Sequence, residues 1–172
     1  MNRFFTLLAV PALLSATLCR AQDDGFKDAL TTIMRDAPNQ FRNIKGRQVS
    51  DNMYNIVWDC GVKIPGTVAA RFVYSKGTFY EGALLQTDDT VAVRTAYNHY
   101  IQVLDNCLKP QGYTALATEN LKPGAEPWDK VAFLPHITPE TSLEKCPSHV
   151  ALEVTYSKER KNYTLELYIY EH

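Results

Sequence analysis

One long amphipathic helix constrains the fold of this chain more than any other feature. Apolar side chains recur at the three- and four-residue spacing of an α-helix, at Val93, Ala96, Tyr97, Tyr100, Ile101, Leu104, Cys107 and Leu108. The residues Thr87 to Asp89 provide a capping side chain and negative charge for the unpaired N–H groups of a helix start. Lys109 to Gly112 end the stripe. So wide an apolar stripe must pack against another apolar surface. The predicted strands on both sides of the helix would form a sheet with such a surface.

Strands are predicted on both sides of this helix, because apolar and polar residues alternate there with a period of two. Three such segments precede the helix, at Tyr54 to Cys60, Thr67 to Ser75 and Thr78 to Gln86. The turns at Pro65-Gly66 and Lys76-Gly77 are so short that these strands must form an antiparallel meander. Further strand segments follow the helix, at Tyr113 to Thr118, Val131 to Leu134, Val150 to Tyr156 and Tyr163 to Ile169.

A second apolar stripe, from Phe26 to Ala37, predicts a first helix that Pro38 ends. The polar segment from Asn39 to Asn52 predicts a connection with one short strand at most. Runs of strands, rather than strict alternation of strand and helix, favour the α+β class. We therefore predict an antiparallel sheet of about six strands with two helices packed on one face, in the order α-β-β-β-α-β-β-β.

The first 21 residues have the three parts of a secretory signal peptide. Arg3 supplies the charge, Phe4 to Leu14 form the apolar run, and small residues up to Ala21 form the cleavage site. The apolar run is shorter than the roughly 20 residues that cross a bilayer as a helix. We expect cleavage after Ala21 and export to the periplasm or beyond. A lipid anchor at Cys19 is the alternative, although Leu18 is large where a small residue is expected.

Length and charge limit the partners of the mature chain. Residues 22–172 have the usual size of a single globular domain, and no apolar stretch in them predicts a membrane span. The whole chain has 18 basic and 19 acidic residues. Cleavage would remove two arginines and no acid, so the mature chain is mildly acidic. Nonspecific nucleic-acid binding needs a basic patch, and we therefore expect no nucleic-acid partner.

Three cysteines remain after the predicted cleavage, and an oxidising compartment favours pairing two of them. Cys107 ends the long helix and Cys146 lies in a polar loop, whereas Cys60 falls on the apolar face of a strand. We predict a disulfide between Cys107 and Cys146 and an inert Cys60 thiol. A bond between Cys60 and Cys107 is the alternative.

No pattern in the sequence predicts catalysis or metal binding. Cys146 and His149 lie close together with His136 nearby, but a metal site needs at least three ligands with convergent geometry. Asp88 and Asp89 are adjacent at a helix start, where capping accounts for both. We predict no catalytic residue, no metal ligand and no cofactor.

The tyrosines are the one feature that points to a binding surface. Tyr80, Tyr168 and Tyr170 are predicted to lie on the strand faces opposite the core-facing series. Exposed aromatic patches often mark sites for proteins or ligands, so these three residues are candidate ligand-binding residues. The alternative is that cross-strand aromatic pairs stabilise the sheet.

Together these features favour a noncatalytic exported protein that binds a protein or small-molecule ligand. The binding surface would be the open sheet face or an unpaired sheet edge, and a homodimer is one form that an edge allows. The competing class is a small periplasmic hydrolase or thiol-dependent enzyme without a recognisable motif. A deep pocket that gathers His, Cys, Asp or Glu side chains would favour the enzyme.

Overall fold

A computed structural model describes residues 24–52, 54–117, 129–136 and 148–171. Within these ranges the chain forms two α-helices and eight strands. In chain order they are α1 (24–36), β1 (Lys45–Asp51), β2 (Ile56–Cys60), β3 (Ala69–Tyr74), β4 (Thr78–Thr87), α2 (Thr90–Leu108), β5 (Tyr113–Ala117), β6 (Asp129–Pro135), β7 (His149–Ser157) and β8 (Asn162–Tyr170).

All eight strands belong to one antiparallel sheet with the order β1-β2-β3-β4-β8-β7-β6-β5. Each helix is followed by a meander of four strands, and the two meanders join where β4 pairs with β8. The strands that end the two halves of the chain therefore lie side by side at the centre of the sheet.

The α+β class, the antiparallel sheet and the two helices are confirmed, but two finer predictions are wrong. The sheet has eight strands rather than about six, and the order is α-β-β-β-β-α-β-β-β-β. Strand β1 lies in the segment 39–52, which the sequence predicted as a connection with one short strand at most. All of its residues except Lys45 are exposed, so it lacks the alternation of buried and exposed side chains that identifies a strand.

One hydrophobic cluster joins both helices to one face of the sheet, which we call the core face. The core face consists of Phe72, Tyr80, Val131, Phe133, Val150, Leu152, Val154, Leu165, Leu167 and Ile169. Helix α1 contributes Phe26, whose ring lies 5.7 Å from that of Tyr100 on α2. Burial of these side chains is the main force that holds the helices against the sheet.

Both ends of α2 have the predicted signals. The Asp89 carboxylate accepts hydrogen bonds from the backbone N–H groups of Val91 at 2.7 Å and Ala92 at 3.2 Å, as an N-cap does. At the other end α2 continues into a 3-10 turn at Lys109–Gln111, which Gly112 ends with a φ of 84°, in the left-handed region that favours glycine. The helix therefore begins and ends where local side-chain chemistry dictates.

Two predictions concern N-terminal residues that lie outside the described ranges. The signal peptide 1–21 and the lipid anchor at Cys19 both precede residue 24 and stay predictions. Neither helix in the described ranges is long and apolar enough to cross a membrane.

Candidate functional site

The candidate site lies on the face of the sheet opposite the core face, which we call the outer face. Side chains from neighbouring strands lie next to one another there in three rows across the sheet. The aromatic row is Val73, Phe79, Tyr170 and His149; the mixed row is Arg71, Glu81, Tyr168 and Ala151; the charged row is Ala69, Ala83, Glu166, Glu153 and Lys130. Because both helices join the core-face cluster, no helix of the described chain covers these rows.

Ring contacts are continuous along the aromatic row. The ring of Tyr170 lies 4.3 Å from His149 in a stacked arrangement and 5.6 Å from Phe79. Tyr168, in the next row, lies 6.0 Å from both Phe79 and Tyr170. Burial raises the pKa of Tyr170 to about 12, so its hydroxyl stays protonated. Tyr168 and Tyr170 thus make aromatic contacts of the kind that stabilise a sheet. Their role in ligand binding stays a prediction.

Tyr80 does not share this face, and its predicted placement beside Tyr168 and Tyr170 is wrong. Its side chain is fully buried in the core face, with its ring 5.7 Å from Phe72 in an edge-on arrangement. The alternation in β4 is ambiguous because both sets of alternate residues are largely apolar or aromatic. Gly82 decides the face, since its missing side chain leaves the space that the Tyr80 ring occupies.

The mixed and charged rows hold two ion pairs between neighbouring strands. The Arg71 guanidinium donates to both carboxylate oxygens of Glu81, at 3.1 Å and 2.6 Å. Lys130 pairs with Glu153 further along the sheet. The Arg71–Glu81 pair is bidentate, which adds directionality and strength to the contact, whereas the Lys130–Glu153 pair is a single contact. The two pairs thus link β3 to β4 and β6 to β7 across the outer face.

Glu166 lies between these pairs, and among the described residues no cationic side chain lies within ion-pair distance of its carboxylate. Its Oε2 atom accepts hydrogen bonds from the Tyr168 hydroxyl at 3.1 Å and the Thr155 hydroxyl at 3.5 Å. Burial raises the pKa of the Glu166 carboxyl above its ordinary value, and the neighbouring Glu81 and Glu153 carboxylates raise it further. The Tyr168 hydrogen bond and the charge of Arg71 oppose this shift.

A groove of about 260 Å³ opens on the outer face beside Glu166. Ala69 and Ala83, which are directly opposite each other on β3 and β4, belong to its lining. Arg160, in the turn between β7 and β8, also belongs to it. The full lining is Val68, Ala69, Ala70, Arg71, Glu81, Ala83, Gln86, Arg160, Thr164 and Glu166. The groove therefore combines charges of both signs with small side chains.

A second cavity, of about 250 Å³, lies at the end of the aromatic row. Phe79 and Tyr170 line it together with the turn between β3 and β4. Its lining is mostly apolar, and Lys76 and Glu171 supply its charged groups. The outer face thus carries a groove with charged groups and a mostly apolar cavity, and Tyr170 belongs to the lining of the cavity.

The structure describes Cys60 and Cys107 but not Cys146. Cys107 is buried in α2, whereas Cys146 lies outside the described residues, so their disulfide stays a prediction. Cys60 is a half-buried free thiol that donates to the Val62 carbonyl oxygen at 2.6 Å. Burial raises the pKa of the Cys60 thiol, which makes it a weak nucleophile.

Two histidines lie near Cys146 in the sequence, and the structure describes both. His136 is exposed at the end of β6, and His149 stacks on Tyr170. In the parts of the chain that the structure describes, no three His, Cys, Asp or Glu side chains are grouped so that they could hold a metal ion.

Comparison with known proteins assigns this chain to no family. No protein-family model, curated protein or solved structure matches this chain.

The charge of Glu166 predicts a pH-dependent effect of the substitution Glu166→Gln. A carboxyl whose pKa is raised on folding binds its proton more tightly in the folded state, so its contribution to stability is lost as pH rises through the folded pKa. Glutamine cannot lose this contribution. We expect the variant to gain stability relative to the wild type as pH rises from about 4, the ordinary range of a glutamate, through the raised pKa of the folded state, as measured by urea unfolding.

The matched control is Glu159→Gln, an exposed carboxylate in the turn next to the groove. This variant removes one exposed negative charge next to the groove and leaves Glu166 in place. A Glu166→Gln difference that is constant, or that shifts against the variant as pH rises, would show that Glu166 is not held in a charge-disfavouring site.

Proposed function

We propose that this protein is an exported, noncatalytic binding protein whose ligand or partner contacts the outer face of the sheet. The observation that carries the proposal is the groove beside Glu166, lined by Arg71, Arg160, Glu81 and Glu166 and adjoining the aromatic row. A concave site with a few convergent polar groups is the usual form of a small-ligand site.

The energetics of the outer face support this proposal. Placing Glu166 half-buried between Glu81 and Glu153 is unfavourable, because burial and like charges both disfavour its ionised form. An apolar side chain of similar size would avoid this cost. Features that reduce stability without a structural benefit are concentrated at functional sites, so Glu166 is best explained by what it binds.

An unpaired sheet edge is the other predicted binding surface, and the two edge strands, β1 and β5, give it weaker support. Strand β1 is charged and has two register irregularities, features that discourage pairing with another chain. Strand β5 is uncharged, pairs regularly with β6, and exposes Leu116. A homodimer through β5 therefore remains the alternative to a ligand on the outer face.

Site-specific photocrosslinking tests the proposal. A photoreactive amino acid would replace Thr164, which lines the groove, in cells that express the full chain. The control position is Asn98, which is exposed on α2. We expect covalent adducts from Thr164 and none from Asn98. Equal labelling from both positions, or labelling from Asn98 alone, would contradict binding on the outer face.

The aromatic row has its own test, the variants Tyr168→Ser and Tyr170→Ser. If these rings contact the ligand, adduct formation from Thr164 should fall although the protein stays folded. Lower stability with unchanged adduct formation would assign the rings to sheet packing alone.

The hydrolase alternative is favoured by one observation. Glu81 and Glu166 line the same groove, and Arg71 pairs with Glu81 while burial raises the pKa of Glu166. Two carboxyl groups in different environments are typical of acid–base catalysis. Turnover of chromogenic esters, glycosides or peptides that disappears in both Glu81→Gln and Glu166→Gln would establish an enzyme, whereas the binding proposal predicts no turnover.

A further inference from the structure

Four charged side chains line the groove, and two of them neutralise each other. Arg71 and Glu81 form a bidentate pair across β3 and β4, so neither has much electrostatic attraction left for a ligand. The remaining charges are Arg160 and Glu166. These two residues therefore determine what the groove attracts.

Glu166 is suited to a positively charged group. Its described hydrogen bonds come from two hydroxyl groups, both to Oε2, and in the described ranges no cationic side chain lies within ion-pair distance of it. A half-buried carboxylate in this situation gains substantially from a charge-assisted hydrogen bond. An ammonium group of a ligand would supply the charge that the protein omits.

Arg160 is suited to a negatively charged group. The Arg160 backbone N–H donates a hydrogen bond to the Ser157 hydroxyl oxygen at 3.2 Å. The adjacent Lys161 has a positive φ of 53°. The turn between β7 and β8 therefore has a defined shape. Across the described chain the Arg160 guanidinium has no carboxylate within ion-pair distance. A guanidinium binds a carboxylate group through two parallel hydrogen bonds.

We propose that the groove binds a small zwitterion of the amino-acid class, with its ammonium group on Glu166 and its carboxylate on Arg160. The inference rests on the proposed function and names the ligand class of the same site. The volume of about 260 Å³ is below the roughly 300 Å³ at which sites for drug-sized ligands begin. Gln86 and Thr164 offer polar groups for a ligand side chain.

Other ligand classes fit the groove less well. A multiply charged anion such as phosphate would face the Glu166 carboxylate in the lining. A simple cation would face the Arg160 guanidinium. A molecule that carries both charges, separated by a few bonds, avoids both repulsions.

Three related probes test the inference on the purified protein. L-glutamine carries both charges, N-acetyl-L-glutamine lacks the ammonium group, and L-glutaminamide lacks the carboxylate. NMR titration would follow the backbone amides of Ala83, Thr164 and Glu166. We expect saturable shifts with L-glutamine and at least about tenfold weaker binding of each derivative, since each loses one charge-assisted contact.

The variants Arg160→Gln and Glu166→Gln should each weaken L-glutamine binding by at least about tenfold. Lys158→Gln and Glu159→Gln are matched controls in the same turn, outside the groove lining, and should leave it unchanged. The dispersed amide spectrum of each variant shows that it is folded.

Two results would overturn the inference. One is the absence of saturable shifts at millimolar L-glutamine; the other is equal binding of either derivative, which would make the groove a site for one charge only. If adducts still form from Thr164 in either case, the outer face remains a binding surface and only the ligand class is wrong. If L-glutamine causes no saturable shifts and no adducts form from Thr164, the proposed function is refuted as well.

Discussion

The substitution Phe72→Ala is expected to lower the free energy of unfolding by about 3–5 kcal/mol. Phe72 is fully buried in the core face and lies 4.9 Å from the Phe41 ring and 5.7 Å from the Tyr80 ring. Removing its ring loses the free energy of burial and leaves a cavity between rings that cannot easily close. Urea unfolding followed by circular dichroism measures the loss.

Tyr74→Ala provides the matched control for this prediction. Tyr74 lies on the same strand and faces the same side, two residues along, but its side chain is 45% exposed. We expect a loss of about 1 kcal/mol or less. Equal losses for the two variants would show that the helices do not cover the sheet at Phe72.

The substitution Gly82→Ala is expected to lower the free energy of unfolding by about 1–3 kcal/mol. A Cβ atom at Gly82 would lie 2.8 Å from both Cε1 and the hydroxyl oxygen of Tyr80, which is closer than van der Waals contact allows. Because Tyr80 is fully buried, its ring cannot move aside without displacing the core. Thermal or urea unfolding would show the loss.

A double-mutant cycle isolates this contact. In a Tyr80→Leu background, the added methyl group at Gly82 should cost much less, because the ring that it would meet is gone. Gly25→Ala in α1 is a control, since a Cβ atom there makes an ordinary contact of 3.4 Å with Pro65 and alanine favours the helix. An unchanged Gly82→Ala loss in the Tyr80→Leu background would refute the proposed role of Gly82.

The helices could be predicted from sequence because their signals are local. The spacing of apolar residues along α2 and the cap at Asp89 act within a few turns, so the surrounding fold does not change them. Strand β1 had no such signal. It lies at the edge of the sheet, where all but one of its side chains are exposed, and pairing with β2 alone makes it a strand.

The outer face could be predicted only in part. Tyr168 and Tyr170 alternate with the buried residues of β8, so the period of two is enough to assign their face. Tyr80 could not be assigned in this way because both sets of alternate residues in β4 include apolar or aromatic side chains. Gly82 is a local signal for its face, because it leaves space beside the Tyr80 ring.

The groove was missed because it depends on contacts between distant parts of the chain. Arg71, Glu81 and Glu166 are brought together by the pairing of β3, β4 and β8. A shift of one residue in either register would turn these side chains to the other face. Charged residues within otherwise apolar strands are the signal in the sequence, but their partners cannot be identified without the register.

Nuclear Overhauser contacts among the aromatic rings test the central claim, that the sheet has a buried face under the helices and a separate binding face. We predict contacts of Tyr80 with Phe72, and of Tyr168 with Phe79 and Tyr170. No contact should join the two groups. A contact between the rings of Tyr80 and Tyr168 would place them on one surface and contradict the account.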